Sequence, residues 1–347
     1  MPSTEHVRIS VGGQDFDAFK DIAIHAAMNE ACRHFHLVVA DKWGPSATHN
    51  IFTLGAKVTI SCDAGLVFTG FVDRRDAHMG PREQVMTIAG RSTGQDAVDS
   101  SAVHKTGRFD NKTPLEIAKA IAPQGVQFQA LAQLDKVKEY QLIPGATVFR
   151  EVERLCRDQG KTLMGMADGS IAITDASSMS RGGGQLIEGQ NILDGTSHLN
   201  ACNRMKEYLA RGQSYDGHGS DAMQIEGTSK DSGVQRDRKR LIVIDGNTNK
   251  DRAKARAKYH RDRHAGDSIR ATITTVGWRD DNGSLWEPGS KVYVQSPFLG
   301  LQQDMLIESI HYHQSHNTTA TFALVDPRAY GGQSGGGGDS GSDWGGY

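Results

Sequence analysis

Apolar and polar residues alternate with period two over much of the chain, in two sets separated by a stretch of different character. In the first set, residues 7–11 read as a strand closed by the Gly12-Gly13 turn, and residues 22–24 and 35–39 are further strand-like runs. Runs at 57–60, 67–72 and 85–89 complete an antiparallel set that ends near Ser101. Such alternation buries one face of each strand and leaves the other in water. The front of this set has an echo near the end of the chain. Leu54-Gly55-Ala56-Lys57-Val58-Thr59-Ile60 is matched by Pro288-Gly289-Ser290-Lys291-Val292-Tyr293-Val294. In both places a second strand (67–72 and 305–310) and a third (85–89 and 319–324) follow in the same order. Three elements in one order predict two related antiparallel β-domains. Their strand spacing suits small barrels or sandwiches.

Between the two sets the period changes to that of helices. Thr113-Pro114-Leu115-Glu116 combines an N-cap threonine, a proline at the first helical position and a capping-box glutamate. Leu115, Ala118 and Ile121 recur at helical spacing before Pro123. A second helix starts at Thr147, places Val148, Val152, Leu155 and Cys156 on one face, and reaches its C-cap at Gly160. Asp168-Gly169 then marks a hairpin between residues 161–166 and 171–174. The span 212–233 is glycine-rich and polar and reads as a mobile loop. Residues 249–263 form the next helix, with a stripe of small residues suited to lying close on a sheet. The Gly/Ser-rich residues 331–347 carry too little apolar surface to fold.

A chain of 347 residues exceeds a single core. The patterns divide it into a first β-domain at 1–102, a small α+β domain at 103–185, a second β-domain with the helix at 186–330, and the tail at 331–347. With 39 basic against 41 acidic residues, the net charge of −2 argues against a general nucleic-acid or membrane-surface binder. No apolar run approaches the ~18 residues of a spanning helix, so no stable membrane association is expected. The first residues lack a secretory signal pattern, which predicts synthesis in the cytoplasm. Cys32, Cys62, Cys156 and Cys202 are widely spaced, which favours free thiols over disulfides or zinc.

Several motifs invite a chemical reading. Gly90-Arg91-Ser92-Thr93-Gly94 matches the G-x-S-x-G nucleophile elbow, but that elbow needs a parallel strand before it and a helix after it. A strand-end turn is the plainer reading. Gly160-Lys161-Thr162 lacks the first glycine of a phosphate loop and follows a helix, which makes it a helix cap. His311, His313 and His316 have no acidic or thiol ligand nearer than Glu308, so an exposed polar strand face is favoured over a metal site. No catalytic, metal or cofactor residue is therefore assigned. The basic helix leaves protein-interface candidates: Lys250, Lys254 and Lys258 on one face, Arg252 and Arg256 on another.

Residues 67–72, then Ile88-Ala89-Gly90-Arg91-Ser92 and Asp96-Ala97-Val98-Asp99, resemble the baseplate hub proteins of Mu-like contractile-tail bacteriophages. Gly145-Ala146-Thr147-Val148-Phe149, Val276-Gly277-Trp278-Arg279 and Gly283-Ser284-Leu285-Trp286-Glu287-Pro288-Gly289 share the resemblance, which covers almost the whole chain. It implies two tail-tube-like antiparallel β-barrel domains flanking the α+β domain. It also implies a structural protein without cofactors, placed in the virion baseplate as a homotrimer between the tail tube and the central spike protein. Tail assembly and genome ejection would be its roles, with DNA passing the lumen without specific binding. Related hubs serve other contractile injection machines. The alternative is a tail-associated cell-wall hydrolase or wall-binding module, motivated by the serine motif and by the need of tails to cross a wall.

Overall fold

The computed structural model of the chain describes residues 5–40, 51–81, 83–175, 179–214 and 223–331. The expected disordered tail, apart from Gly331, lies outside the described residues. The first alternating runs form β1 (Arg8–Val11), β2 (Gln14–Phe16), β3 (Asp21–Ala27), β4 (His34–Ala40), β5 (Lys57–Cys62), β6 (Gly65–Met79) and β7 (Gln84–Ser92). They pair antiparallel in the order β3-β4-β7-β6-β5-β1-β2. A short helix, α1 (Gln95–Asp99), follows where the sequence suggested only a turn.

The middle unit holds β8 (Arg108–Lys112), α2 (Pro114–Ile121), β9 (Phe128–Ala130), β10 (Val137–Gln141), α3 (Val148–Asp158), β11 (Thr162–Gly165) and β12 (Ile171–Thr174). Its helices start as their caps dictate. Thr113 Oγ1 accepts from Glu116 N at 3.2 Å while Glu116 Oε2 accepts from Thr113 N at 2.9 Å. The Thr113 N–H, and after it the Lys112 ammonium at 3.0 Å, hold the Glu116 carboxyl down to about 2. Val148, Val152, Leu155 and Cys156 are buried against Ile117, Ile171 and Ile173, a core distinct from that of the β units. Gly160 ends α3 with φ 67°, and Lys161 N donates back to Cys156 O at 2.8 Å.

The last unit contains β13 (Arg181–Ile187), β14 (Ile192–Leu199), β15 (Glu207–Gln213), β16 (Ile225–Lys230), β17 (Lys239–Asn247), α4 (Lys250–Asp267), β18 (Ile269–Val276), β19 (Lys291–Ser296), β20 (Leu301–Gln314) and β21 (Thr318–Val325). Its main strands run β14-β18-β21-β20-β19-β13, which repeats the order β3-β4-β7-β6-β5-β1. The repeat extends to single hydrogen bonds. Gly55 N donates to Val72 O at 2.8 Å and Val72 N to Ala56 O at 3.0 Å. Gly289 N donates to Ile307 O at 2.8 Å and Ile307 N to Ser290 O at 3.0 Å. Gly55 and Gly289 take φ 78° and 84°, which favours glycine at both turns. One residue later on each long strand the ladder bulges, at Asp73 in β6 and at Glu308 in β20.

The two β units are not the separate antiparallel barrels expected: β13 runs parallel to β19 where β1 runs antiparallel to β5, and the units are joined. The outer half of β20 pairs antiparallel with β3, from Ser309 opposite Ala27 to Gln314 opposite Ile22. Both units thus belong to one sheet of thirteen strands, whose path stays open among the described residues. They share one core that includes Ile24, Leu37, Phe68, Trp278, Tyr312 and Phe322. Each Ile, Leu or Phe among them contributes about 1.5–3 kcal/mol on burial.

The span 212–233 is not simply a loop. Residues 215–222 lie outside the described residues, but β16 occupies 225–230 and pairs with β15. This polar strand escapes the alternation test because α4 covers it through small residues. A Cβ on Gly227 would sit 2.1 Å from Lys254 N.

Candidate assembly interface

The basic helix is built from its N-cap outward. Asn249 Oδ1 accepts from Arg252 N at 2.9 Å, and Ala253 and Ala257 are fully buried on the β15–β16 surface. Helical spacing then turns Lys250, Arg252, Lys254, Arg256 and Lys258 all into solvent. The Arg256 guanidinium lies 5.8 Å from the Tyr259 ring centre. Among the described residues no carboxylate is within ion-pair distance of Lys250, Lys254 or Lys258. His260 points inward, and burial with the neighbouring Arg256 pushes its imidazole down to about 4.

Besides the ends at β2 and β13, the sheet leaves two long strands unpaired on one side among the described residues. One is β14, which pairs only with β18; the other is the outer half of β6, residues 73–79, which pairs only with β7. Residues 73–79 are exposed on both faces of the strand. A long unpaired strand presents free N–H and C=O groups and is a template for another chain.

One face of this sheet covers the core and the other is polar. On the polar face His34, His25 and His311 lie side by side across β4, β3 and β20, with Thr321 next on β21. His313 Nε2 meets Asp21 Oδ2 at 2.7 Å, and its ring stacks 6.3 Å from that of His311. Burial, then His25 and His313, lowers the His311 pKa. Among the described residues no group of three metal-ligating side chains converges.

Ser92 is fully buried, and its Oγ accepts from Arg33 N at 3.0 Å. It closes an antiparallel strand instead of standing above a parallel sheet. The elbow geometry is absent at this position.

Sequence reasoning missed Arg33. It is 1% exposed and donates Nε to Gly165 O at 3.0 Å and Nη1 to Val67 O at 2.9 Å, while Nη2 reaches Glu287 Oε2 at 2.5 Å. One guanidinium so ties the first β unit, the middle unit and the last unit together. An arginine in an otherwise ordinary turn carries no sequence signal of such partners.

A duplicated sheet with strands left unpaired and an exposed cationic helix are the features of a structural subunit that joins other chains. Comparison with known proteins gives the family. Residues 6–92 match the Mu phage baseplate assembly protein GpP-like N-terminal model. Residues 94–175 match the second domain of the baseplate hub protein gp44-like model, and residues 249–332 the fourth domain of Mu phage baseplate assembly protein GpP. The chain is 26% identical over 317 residues to the baseplate hub protein gp44 of Escherichia phage Mu, covering 87% of this chain and 82% of that protein. A 43 kDa tail protein of prophage MuSo2 from Shewanella oneidensis superposes with TM-score 0.80 at 26% identity, over 94% of this chain and 99% of that one. A tail protein from Neisseria meningitidis shares the fold with TM-score 0.75 at 20% identity, over 94% and 99% of the two chains. The chain belongs to the baseplate hub family of Mu-like phages, structural proteins of the virion tail.

Proposed function

We propose that this baseplate hub assembles as a ring-shaped homotrimer at the centre of the contractile tail. There it joins the tail tube and other baseplate proteins to the central spike protein, and DNA leaves through its lumen. One observation carries the reading: each chain contains the same strand order twice, joined through β20 and β3, and leaves β14 (the counterpart of β3) and the outer half of β6 (the counterpart of β20) unpaired on one side among the described residues. Three chains joined in the same way give six similar units around an axis, so a three-fold spike can meet a six-fold tube. The polar face of the sheet then forms the channel wall. Its histidines and threonines suit DNA that passes without specific binding, because few fixed cations are present to neutralise phosphates. On this reading Lys250, Lys254, Lys258, Arg252 and Arg256 meet carboxylates of a neighbouring chain or of the tube, away from the lumen. The chain is made in the host cytoplasm and acts in the baseplate.

Sedimentation of the purified chain, alone and with its spike protein, tests the reading. A trimer is expected, strengthened by the spike. A monomer or dimer at high concentration, with no trimer on adding spike, counts against it.

A further inference from the structure

The internal repeat specifies more than a ring, because it fixes which residues meet at the seam between protomers. We propose that the outer half of β6 pairs antiparallel with β14 of a second copy of this chain, in the register that β20 and β3 use within one chain. Asp76 then lies opposite His198 of the next protomer, and His78 pairs with its Asp194. The proposal rests on the trimeric reading above.

The register follows from matched positions. The bulges at Asp73 and Glu308 align the two long strands, so residues 74–79 take the places of residues 309–314. Arg75 pairs with Ile88 as Ile310 pairs with Phe322, which makes Ile88 and Phe322 equivalent. Ile88 faces Leu37 and Phe322 faces Ile273, while Leu37 faces Ile22 and Ile273 faces Gly195. Gly195 therefore stands where Ile22 stands, Asp194 where Asp21 stands, and His198 where His25 stands.

Within the chain, His311 lies opposite His25 and His313 opposite Ala23, from which it reaches Asp21 at 2.7 Å. Transferred to the seam, Asp76 falls opposite His198, His78 opposite Thr196 with Asp194 one row on, and Met79 opposite Gly195. The substitutions agree in charge. Where the internal junction has a histidine facing a histidine, the seam has a carboxylate facing one, and the His–Asp pair recurs unchanged. Among the described residues Asp76 reaches its own strand neighbour Arg74, at 2.7 Å. Met79 is 74% exposed and Leu193, two residues from Gly195, is 57% exposed, so the seam also covers apolar surface at both edges. Strand addition supplies the main-chain bonds, and these side chains select the register.

The test uses the full chain carrying Cys202→Ser, which removes the exposed native thiol. Asp76→Cys with His198→Cys is oxidised with copper phenanthroline, because a disulfide needs Cβ atoms about 4 Å apart and does not join diagonal neighbours about 7–8 Å apart, and is run on a non-reducing denaturing gel. Asp76→Cys with Thr196→Cys, two residues out of register, is treated alongside. The first pair is expected to give covalent dimers and closed trimers, and the second monomers. A trimer by sedimentation whose first pair stays unlinked, or whose second pair links instead, overturns the register while the ring stands. Absence of any trimer removes the ring reading and the seam together. A second set guards against misfolding of the cysteine variants. His78→Glu is expected to weaken trimer formation at least tenfold, and Asp194→Lys in the same chain to restore it. Equal assembly of native and His78→Glu chains overturns the pairing.

Discussion

At the scale of single residues, the strongest constraint lies in a side chain that pattern reading passes over. Arg33 holds two backbone carbonyls from different units and the Glu287 carboxylate. A lysine has a single ammonium and cannot span that fork. Arg33→Met is expected to cost about 3 kcal/mol, because it strips hydrogen bonds from buried acceptors and leaves Glu287 without its partner. Denaturant unfolding of the full chain measures this, and Arg33→Lys should recover less than half of the loss. His260 supplies a pH dependence. Its folded pKa of about 4 lies below the ordinary imidazole value of 6.5. Between those values the unfolded chain binds the extra proton, so stability is complete above about pH 6.5 and falls as pH drops toward 4. The ring is only partly buried, and screening reduces the effect to about 1 kcal/mol. Thermal melts from pH 7 to 4 should show a shallower decline in Tm for His260→Gln than for the native chain.

At the scale of elements, the sequence was legible wherever a local rule acted. The Thr113 capping box, the buried face of α3 and the Asp168-Gly169 hairpin all depend on neighbours within a few residues, and each appears as read. The polar strand β16 was not legible, because its burial comes from α4 and leaves no alternation of its own. Gly227 is the element's signature instead, admitting the helix backbone where a side chain would collide. Gly227→Val is expected to push α4 off β16 and cost about 3 kcal/mol or more through overpacking. Hydrogen exchange should then rise across residues 250–267 while α3 is unaffected. The cationic side of α4 behaves differently, since Lys254 and Lys258 are exposed and touch no carboxylate among the described residues. Reversing both to glutamate should leave the Tm nearly unchanged and impair ring or baseplate assembly. Particles that assemble normally but stall with DNA inside would put the helix in the channel.

At the scale of the whole molecule, the duplication was visible in the sequence but the shared sheet was not. Alternation with period two states which face of a strand is buried; it does not state which strand lies beside it. The pairing of β20 with β3 joins residues nearly three hundred positions apart, and nothing local encodes it. The same pairing makes the polar faces of the two units continuous, so in the proposed ring of three chains this face would form one uninterrupted inner wall. The face carries Thr272, Thr274 and Thr321 beside the histidines, with Thr274 and Thr321 hydroxyls 3.0 Å apart. Uncharged hydroxyls offer phosphate no fixed cation, which suits rapid passage. Thr272→Lys with Thr321→Lys would place roughly six added cations around a trimeric ring, each able to displace a counterion from passing DNA. Particles carrying this double change should assemble normally and release DNA more slowly at about 50 mM salt, and the delay should shrink strongly by about 200 mM. Release timed at both salts in native and variant particles makes the comparison. A delay that ignores salt would mean a steric block, and unchanged release at low salt would mean that this face of the sheet lies outside the channel.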